Sequence, residues 1–141
     1  MIRWNKYIQY GEFKSSSGLT LEFKWVFDSL DFHDSLDTKI ITTAIKALAY
    51  PYLLVGIESV HPKTLVCDYI YDPKTKSFKH DKIPQGDYVI YDDVVTKGVT
   101  VDGCQRVVGF EAEKIICIIN RKVEKITILN IVSIQEILDD K

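Results

Sequence analysis

The chain is poor in the features that would tie it at once to a partner or a compartment. Arginine is scarce: of 141 residues only Arg3, Arg106 and Arg121 carry a guanidinium, which is few for a surface built to hold phosphates. Basic charge is not massed either. Eighteen Lys and Arg are scattered among twenty Asp and Glu, and the formal net charge of -2 excludes the global basic field that draws nucleic acid. Cysteine is rare and odd in number. Cys67, Cys104 and Cys117 lie far apart in apolar surroundings, so a reduced, buried thiol is expected at each, and no two have metal-ligand spacing. No apolar run approaches the length of a membrane span, and the opening Met-Ile-Arg-Trp-Asn-Lys lacks the apolar centre of a signal peptide. A cytoplasmic protein is expected, with no nucleic-acid and no membrane partner. There is no internal repeat and no low-complexity linker. At 16.2 kDa with 46% hydrophobic residues, residues 1–141 read as a single domain with its own core.

What the chain does have is alternation of two periodicities. Residues 19–28 partly alternate and are rich in aromatics, a strand pattern. A helix follows, capped by Asp34 or Ser35, with Ile40, Ile41, Ala44, Ile45 and Leu48 on its apolar face and Pro51 as its stop. Tyr52–Ile57 and Leu65–Tyr71 read as buried strands, and Tyr88–Tyr91 as another. Residues 72–87, with Pro73, Pro84, Gly86 and four lysines, read as a long loop or mobile hairpin. Thr100–Val108 fits a helix turning Val101, Cys104, Val107 and Val108 to the sheet; Ile115–Ile119 and Ile126–Val132 fit strands. Ser133 with Glu136 forms a capping box for a closing helix. Apolar strands alternating with amphipathic helices predict an α/β fold with a mostly parallel central sheet flanked by helices. In such sheets ligands sit beyond the carboxyl ends of the strands, where the segments after Val55, Tyr71 and Tyr91 converge.

The segment after Tyr91 is the most informative. In Tyr88-Val-Ile-Tyr-Asp-Asp-Val-Val-Thr-Lys-Gly-Val-Thr100, a buried strand runs into the adjacent acids Asp92 and Asp93, then into a short loop at a helix start. Carboxylates can accept hydrogen bonds from sugar hydroxyls, and the N–H groups of a helix-start turn can hold a phosphate. A ribose 5-phosphate requires both. The alternative reading is plain: solvated acids at a strand end, followed by an ordinary capping turn.

This segment resembles the phosphoribosyl pyrophosphate (PRPP) motif of type I phosphoribosyltransferases, and flanking segments are similar to the orotate branch of that family. Gly11-Glu-Phe-Lys-Ser-Ser-Ser-Gly18 resembles the branch's N-terminal glycine–x–Phe–x–x–x–Ser–Gly segment. Val55-Gly-Ile-Glu-Ser59 stands where the family has its pyrophosphate loop, and Ile115–Arg121 where it has an apolar strand ending in Asp-Arg. The resemblance implies a type I phosphoribosyltransferase-like fold with a reduced hood. It implies Mg²⁺-assisted transfer of ribose 5-phosphate from PRPP to a pyrimidine-type, orotate-like base, with release of pyrophosphate. By position it assigns Asp92, Asp93, Lys74 and Lys76 to catalysis, and Val95, Thr96, Lys97, Gly98, Val99 and Thr100 to the 5-phosphate. It assigns Gly56, Ile57, Glu58 and Ser59 to pyrophosphate and Ser17 and Gly18 to the base. It implies no direct protein site for the metal, Mg²⁺ arriving with PRPP near Asp92 and Asp93, and it implies a homodimer. The chain departs from the family at the chemistry. Lys97 replaces a Thr of the phosphate loop, Ser16 replaces the Lys before Ser-Gly, and Lys74, Lys76 and His80 stand where a catalytic loop would also carry Arg. A non-catalytic PRPP or nucleotide sensor, or a structural homologue, is therefore the alternative.

Overall fold

Five parallel strands, each hydrogen-bonded to the next, can exist only if both faces of their sheet are covered, and the arrangement of this chain follows from that requirement. The computed structural model describes residues 2–14, 20–27, 29–58, 65–95, 98–121 and 130–139. Its central sheet is built from β3 (Leu53–Ile57), β4 (Tyr69–Asp72), β5 (Ser77–Phe78), β6 (Tyr88–Val95), β7 (Ile115–Asn120) and β8 (Ile131–Ser133), after an N-terminal hairpin of β1 (Ile8–Lys14) and β2 (Thr20–Trp25). The order across the sheet is β5-β4-β3-β6-β7-β8, and all neighbours are parallel except the short edge strand β5, which folds back antiparallel on β4. The helices are α1 (Leu30–His33), α2 (Leu36–Ala49), α3 (Val99–Val108) and α4 (Ile134–Asp139).

Strand periodicity sorts the side chains into two cores. Leu54, Val89, Tyr91, Ile116 and Ile118 point to the face covered by Ile41, Ile45 and Ala49 of α2 and Ile134 of α4. Val55, Ile57, Ile90, Ile115 and Cys117 point to the opposite face, covered by Val101 and Cys104 of α3. In β7 the five residues Ile115–Ile119 are all buried, as a doubly covered strand demands. Ser35 caps α2: its side chain accepts from the Thr38 N–H at 3.2 Å. Asp34 lies outside that cap. Ile40, expected on the apolar face of α2, is 37% exposed, and Leu36 is 70% exposed, because the buried stripe runs instead through Thr38, Ile41, Ile45 and Ala49.

The strand expected over Leu65–Tyr71 begins only at Tyr69. Asp68 explains the late start. Its carboxylate accepts from the Leu54 N–H (2.8 Å) while its own N–H donates to the Leu54 carbonyl (2.8 Å), so a side chain takes a ladder position that a strand backbone would fill. Residues 72–87 are largely ordered around the β4–β5 hairpin, with a 3₁₀ turn at Lys79–Asp81. Strand β6 continues through both acids to Val95 rather than ending at Tyr91, because Asp92, Val94 and Val95 stay in register with Cys117, Ile119 and Asn120 of β7. Only Ile131–Ser133 of the strand expected at 126–132 falls within β8; residues 122–129 lie outside the described residues. The Ser133 hydroxyl donates to the Ile118 carbonyl (3.2 Å), which ties the start of α4 to β7.

The β1–β2 hairpin forms the hood. It is joined to the body by an aromatic chain in which Trp25 stacks on Phe27 and Phe27 packs against Tyr7 and Phe32. Arg121, just past β7, completes the joint. Its guanidinium lies over the Phe23 ring at 4.0 Å and donates to the Phe23 carbonyl at 2.7 Å, while its N–H donates to the Val95 carbonyl.

Ile116 is fully buried at the centre of the larger core. Truncation at such a site removes apolar burial and leaves a cavity, so Ile116→Ala is expected to lower unfolding free energy by about 2–5 kcal/mol in chemical denaturation. A loss below about half a kcal/mol would contradict the two-layer core.

Candidate ligand-binding site at the carboxyl ends of the strands

The parallel register brings the carboxyl ends of β4, β3 and β6 side by side. Ile57 pairs with Tyr71, and Gly56 pairs with both Ile70 and Tyr91. Gly56, expected in the pyrophosphate segment, is buried within β3 rather than beyond it, and a Cβ there would stand 2.6 Å from the Cys67 sulfur. A larger residue would push Cys67 away, so glycine is required for the backbone to pass. Ile57 is buried against the α3 face and is a core residue first. Glu58 emerges just past β3, where its N–H is held by the Tyr71 carbonyl (2.7 Å). Its carboxylate meets Lys79 Nζ at 3.0 Å. Ser59, Thr96, Lys97, Ser17 and Gly18, all expected site residues, lie outside the described residues.

Asp92 and Asp93 occupy the last turns of pleat in β6, and alternation separates their surroundings. Asp92 lies on the α3 face, where its charge acts on the buried thiols of Cys104 and Cys117. Its carboxyl is held well above the usual carboxylate range, first by burial, then by the negative charge of Asp93, and further by a side-chain hydrogen bond between the two acids. Burial and the neighbouring charge thus both favour the protonated form of Asp92. Asp93 also accepts from the Val94 N–H at 2.7 Å. Tyr91, on the other face, has its phenol raised well above the ordinary value by burial first and then by Asp93 and Asp92, and its hydroxyl has no hydrogen-bond partner among the described residues. The thiols are protonated at neutral pH. Burial pushes Cys67 up to about 11 and Cys104 up to about 12, and raises Cys117 as well, so none offers a nucleophilic thiolate.

After β6 the chain turns into α3 through Gly98, which is buried and left-handed (φ 79°, ψ 19°). A Cβ would be strained at that φ, so glycine lets the turn reverse within a few residues of the acids. Gly98 is the N-cap and offers no side chain to the first N–H groups of α3, although its carbonyl already accepts from the Asp102 N–H at 2.9 Å. A ten-residue helix thus begins a few residues after the acids in sequence with no side-chain cap on its first N–H groups, the kind of terminus that can hold an anion. Val95 is buried, Val99 is 56% exposed, and Thr100 is half-buried.

The lysines separate by position. Lys74 sits at the tip of the β4–β5 turn, where its N–H donates to Asp72 (2.8 Å), and it is exposed. Lys76, at a left-handed φ of 55°, helps line a cleft of about 510 Å³ between that hairpin and the start of α3, together with Tyr71, Pro73, Val99 and Thr100. The structure thus brings Lys76 to Thr100 but leaves Lys74 on the rim. His80 is exposed, also at a left-handed φ (58°). The sequence places Glu58 in the pyrophosphate segment and Lys79 among the four lysines of residues 72–87, with nothing to join them. Only the fold-back of β5 onto β4 pairs them. No group of three or more His, Cys, Asp or Glu side chains among the described residues is arranged to hold a metal ion.

A mostly parallel sheet covered on both faces, a small antiparallel hood, and an acid pair leading into a helix start together define the type I phosphoribosyltransferase fold. Among the solved structures it resembles are orotate phosphoribosyltransferases. The enzyme from Aeropyrum pernix superposes with a TM-score of 0.64 at 16% identity, over 96% of this chain and 93% of that one. The Mycobacterium tuberculosis enzyme in complex with inorganic phosphate gives 0.55 at 13% identity, over 83% and 77%. The Francisella tularensis enzyme gives 0.52 at 16%, over 96% and 76%. Neither protein-family models nor curated protein sequences give a match.

The raised Asp92 carboxyl has a consequence for stability. The folded protein holds the Asp92 proton more tightly than the unfolded chain, which releases it near pH 4, so the contribution of Asp92 to stability is greatest below that value and falls as pH rises toward the folded-state pKa. Asp92→Asn removes this titration. Thermal unfolding followed from pH 4 to 8 is expected to show the variant gaining on the wild type as pH increases. A constant difference across that range would mean that Asp92 does not carry the burial penalty.

Proposed function

We propose that this protein binds PRPP with Mg²⁺ and transfers its ribose 5-phosphate to a ring nitrogen of a pyrimidine-type base, orotate-like in shape. The bond between the anomeric carbon and the pyrophosphate oxygen breaks, pyrophosphate leaves with the electron pair, and the base nitrogen supplies the pair for the new bond. The observation that carries this reading is the junction of β6 and α3. A carboxyl pair in the last half of β6 and the donors of the α3 start, with no side chain of Gly98 on them, are separated by only a few residues of sequence.

In this reading the N–H groups of Val99 and Thr100, the Thr100 hydroxyl and the neighbouring residues 95–98 hold the 5-phosphate. Asp93 accepts from the ribose hydroxyls and carries negative charge near the cationic sugar of the transition state. Asp92, whose carboxyl is pushed up by burial and by the charge of Asp93, supports it with a hydrogen bond. Lys76 faces the phosphate side from the cleft, with Lys74 behind it. The residues present fit a cation brought by the ligand rather than one held by the protein: Asp93 would supply a carboxylate oxygen, and Mg²⁺ commonly completes its shell with water and substrate phosphates. Bound there, Mg²⁺ would neutralise the leaving pyrophosphate. The protein's own part is orientation and electrostatic preorganisation. A homodimer in solution belongs to the same proposal.

The test is turnover of PRPP with Mg²⁺ and orotate, followed by absorbance, with other pyrimidines as alternatives. Asp93→Asn is expected to reduce activity by on the order of a hundredfold while the fold is retained in circular dichroism. Absence of turnover with every base tried would remove the enzyme reading. Calorimetry then distinguishes the second reading, a sensor that binds PRPP without turning it over, which is favoured by the occupation of Glu58 with Lys79 at the pyrophosphate side. A protein that binds no PRPP at all would overturn both.

A further inference from the structure

The position of Glu58 presents an electrostatic problem that the assignment of a pyrophosphate segment leaves open. A carboxylate at the mouth of a polyanion site repels the ligand unless something neutralises it. The structure provides that neutralisation from a second segment. Glu58 is pinned one residue past β3 by its N–H bond to Tyr71, and Tyr71 is the β4 residue opposite Phe78 of β5. Lys79 follows Phe78 directly, and its ammonium reaches across β4 to Glu58 Oε2 at 3.0 Å. The side chains are 31% (Glu58) and 52% (Lys79) exposed, so the pair lies at the solvent edge of the sheet's carboxyl end, where a ligand would arrive.

Resting on the PRPP reading above, we propose that Lys79 is a diphosphate-binding residue of this site and that Glu58 is its built-in competitor. In the ligand-free protein Glu58 occupies the ammonium that a diphosphate would use. Binding exchanges one anionic partner of Lys79 for another. A partly exposed ion pair is worth only about 0–1 kcal/mol, so a polyanion can displace Glu58, but the exchange lowers affinity for a bare diphosphate. A divalent cation relieves the conflict. It neutralises the diphosphate and gives the released Glu58 carboxylate an oxygen-seeking partner. The pair therefore discriminates by charge state: it disfavours free diphosphate and tolerates the metal complex. Lys74 and Lys76, on the turn between β4 and β5, are not needed for this discrimination.

The experiment is calorimetric titration of the full chain with inorganic pyrophosphate, with and without Mg²⁺, for the wild type, Glu58→Gln, Lys79→Gln, Lys79→Arg and the Glu58→Gln/Lys79→Gln double variant. Without Mg²⁺, Glu58→Gln is expected to bind about fivefold tighter than the wild type, the fold-change of a surface ion pair removed from competition. Lys79→Gln binds more weakly, Lys79→Arg restores affinity because it keeps the charge, and Glu58→Gln has no further effect in the Lys79→Gln background. With Mg²⁺ the advantage of Glu58→Gln shrinks or reverses. Unchanged or weaker metal-free binding by Glu58→Gln overturns the proposal, as does an equal gain in the absence of Lys79. A parallel titration with PRPP separates the two readings. Wild type that binds PRPP while the variants all match it removes only the role of this pair. If Glu58→Gln binds pyrophosphate while no form binds PRPP, the pair stands and the phosphoribosyl reading falls. No binding of either ligand by any form removes both.

Discussion

Everything in this protein depends on the parallel pairing of β4, β3, β6 and β7. Parallel strands place all their carboxyl ends at one edge of the sheet, so segments far apart in sequence meet there without further design. The same pairing forces both faces to be covered, since backbone and apolar side chains on an open face would meet water. That requirement explains the continuous apolar run of β7, the buried stripe of α2 and the inward Val101 and Cys104 of α3. The hood is secondary to this arrangement. It is attached through Trp25, Phe27 and the guanidinium of Arg121, and none of these is part of the central sheet.

At the carboxyl edge the chain repeatedly places like charges together and then resolves the conflict locally. Asp92 and Asp93 are adjacent in a strand, and the resolution is a hydrogen bond between them, with the Asp92 carboxyl pushed toward its protonated form. Glu58 faces the region where an anion is proposed to bind, and the resolution is Lys79. Each conflict costs folding free energy that an uncharged residue would avoid. Such costs are tolerated where charge has a use, and both occur at the same edge of the same sheet. The alternating surroundings along β6 supply the asymmetry: one acid against the thiols of the α3 core, the next beside the phenol of Tyr91.

Much of this was legible before any coordinates. The alternation of apolar strands with amphipathic helices pointed to a parallel α/β sheet, because burial on both faces leaves a continuous hydrophobic run and burial on one leaves a stripe. The start of α3 and a cap at Asp34 or Ser35 were readable from local chemistry, and the structure uses Ser35. The errors were also local in origin. Asp68 looked like part of a strand because its neighbours are apolar, but its carboxylate bonds the Leu54 N–H and delays β4 to Tyr69. Ile40 looked inward because it is apolar, although its neighbours on α2 set the stripe one residue away. Asp92 looked like an acid beyond the strand end, although the β7 ladder extends past it.

The sequence by itself determined the fold class, the two-residue acid pair and the glycine at the head of α3, since these rest on periodicity and on the conformational needs of single residues. Tertiary structure alone decided which acid faces the thiols of the α3 core, which lysine meets Glu58 and which shares a cleft with Thr100. Those outcomes turn on desolvation and on through-space distance between segments that only strand pairing brings together, and neither quantity is written in the order of residues along the chain.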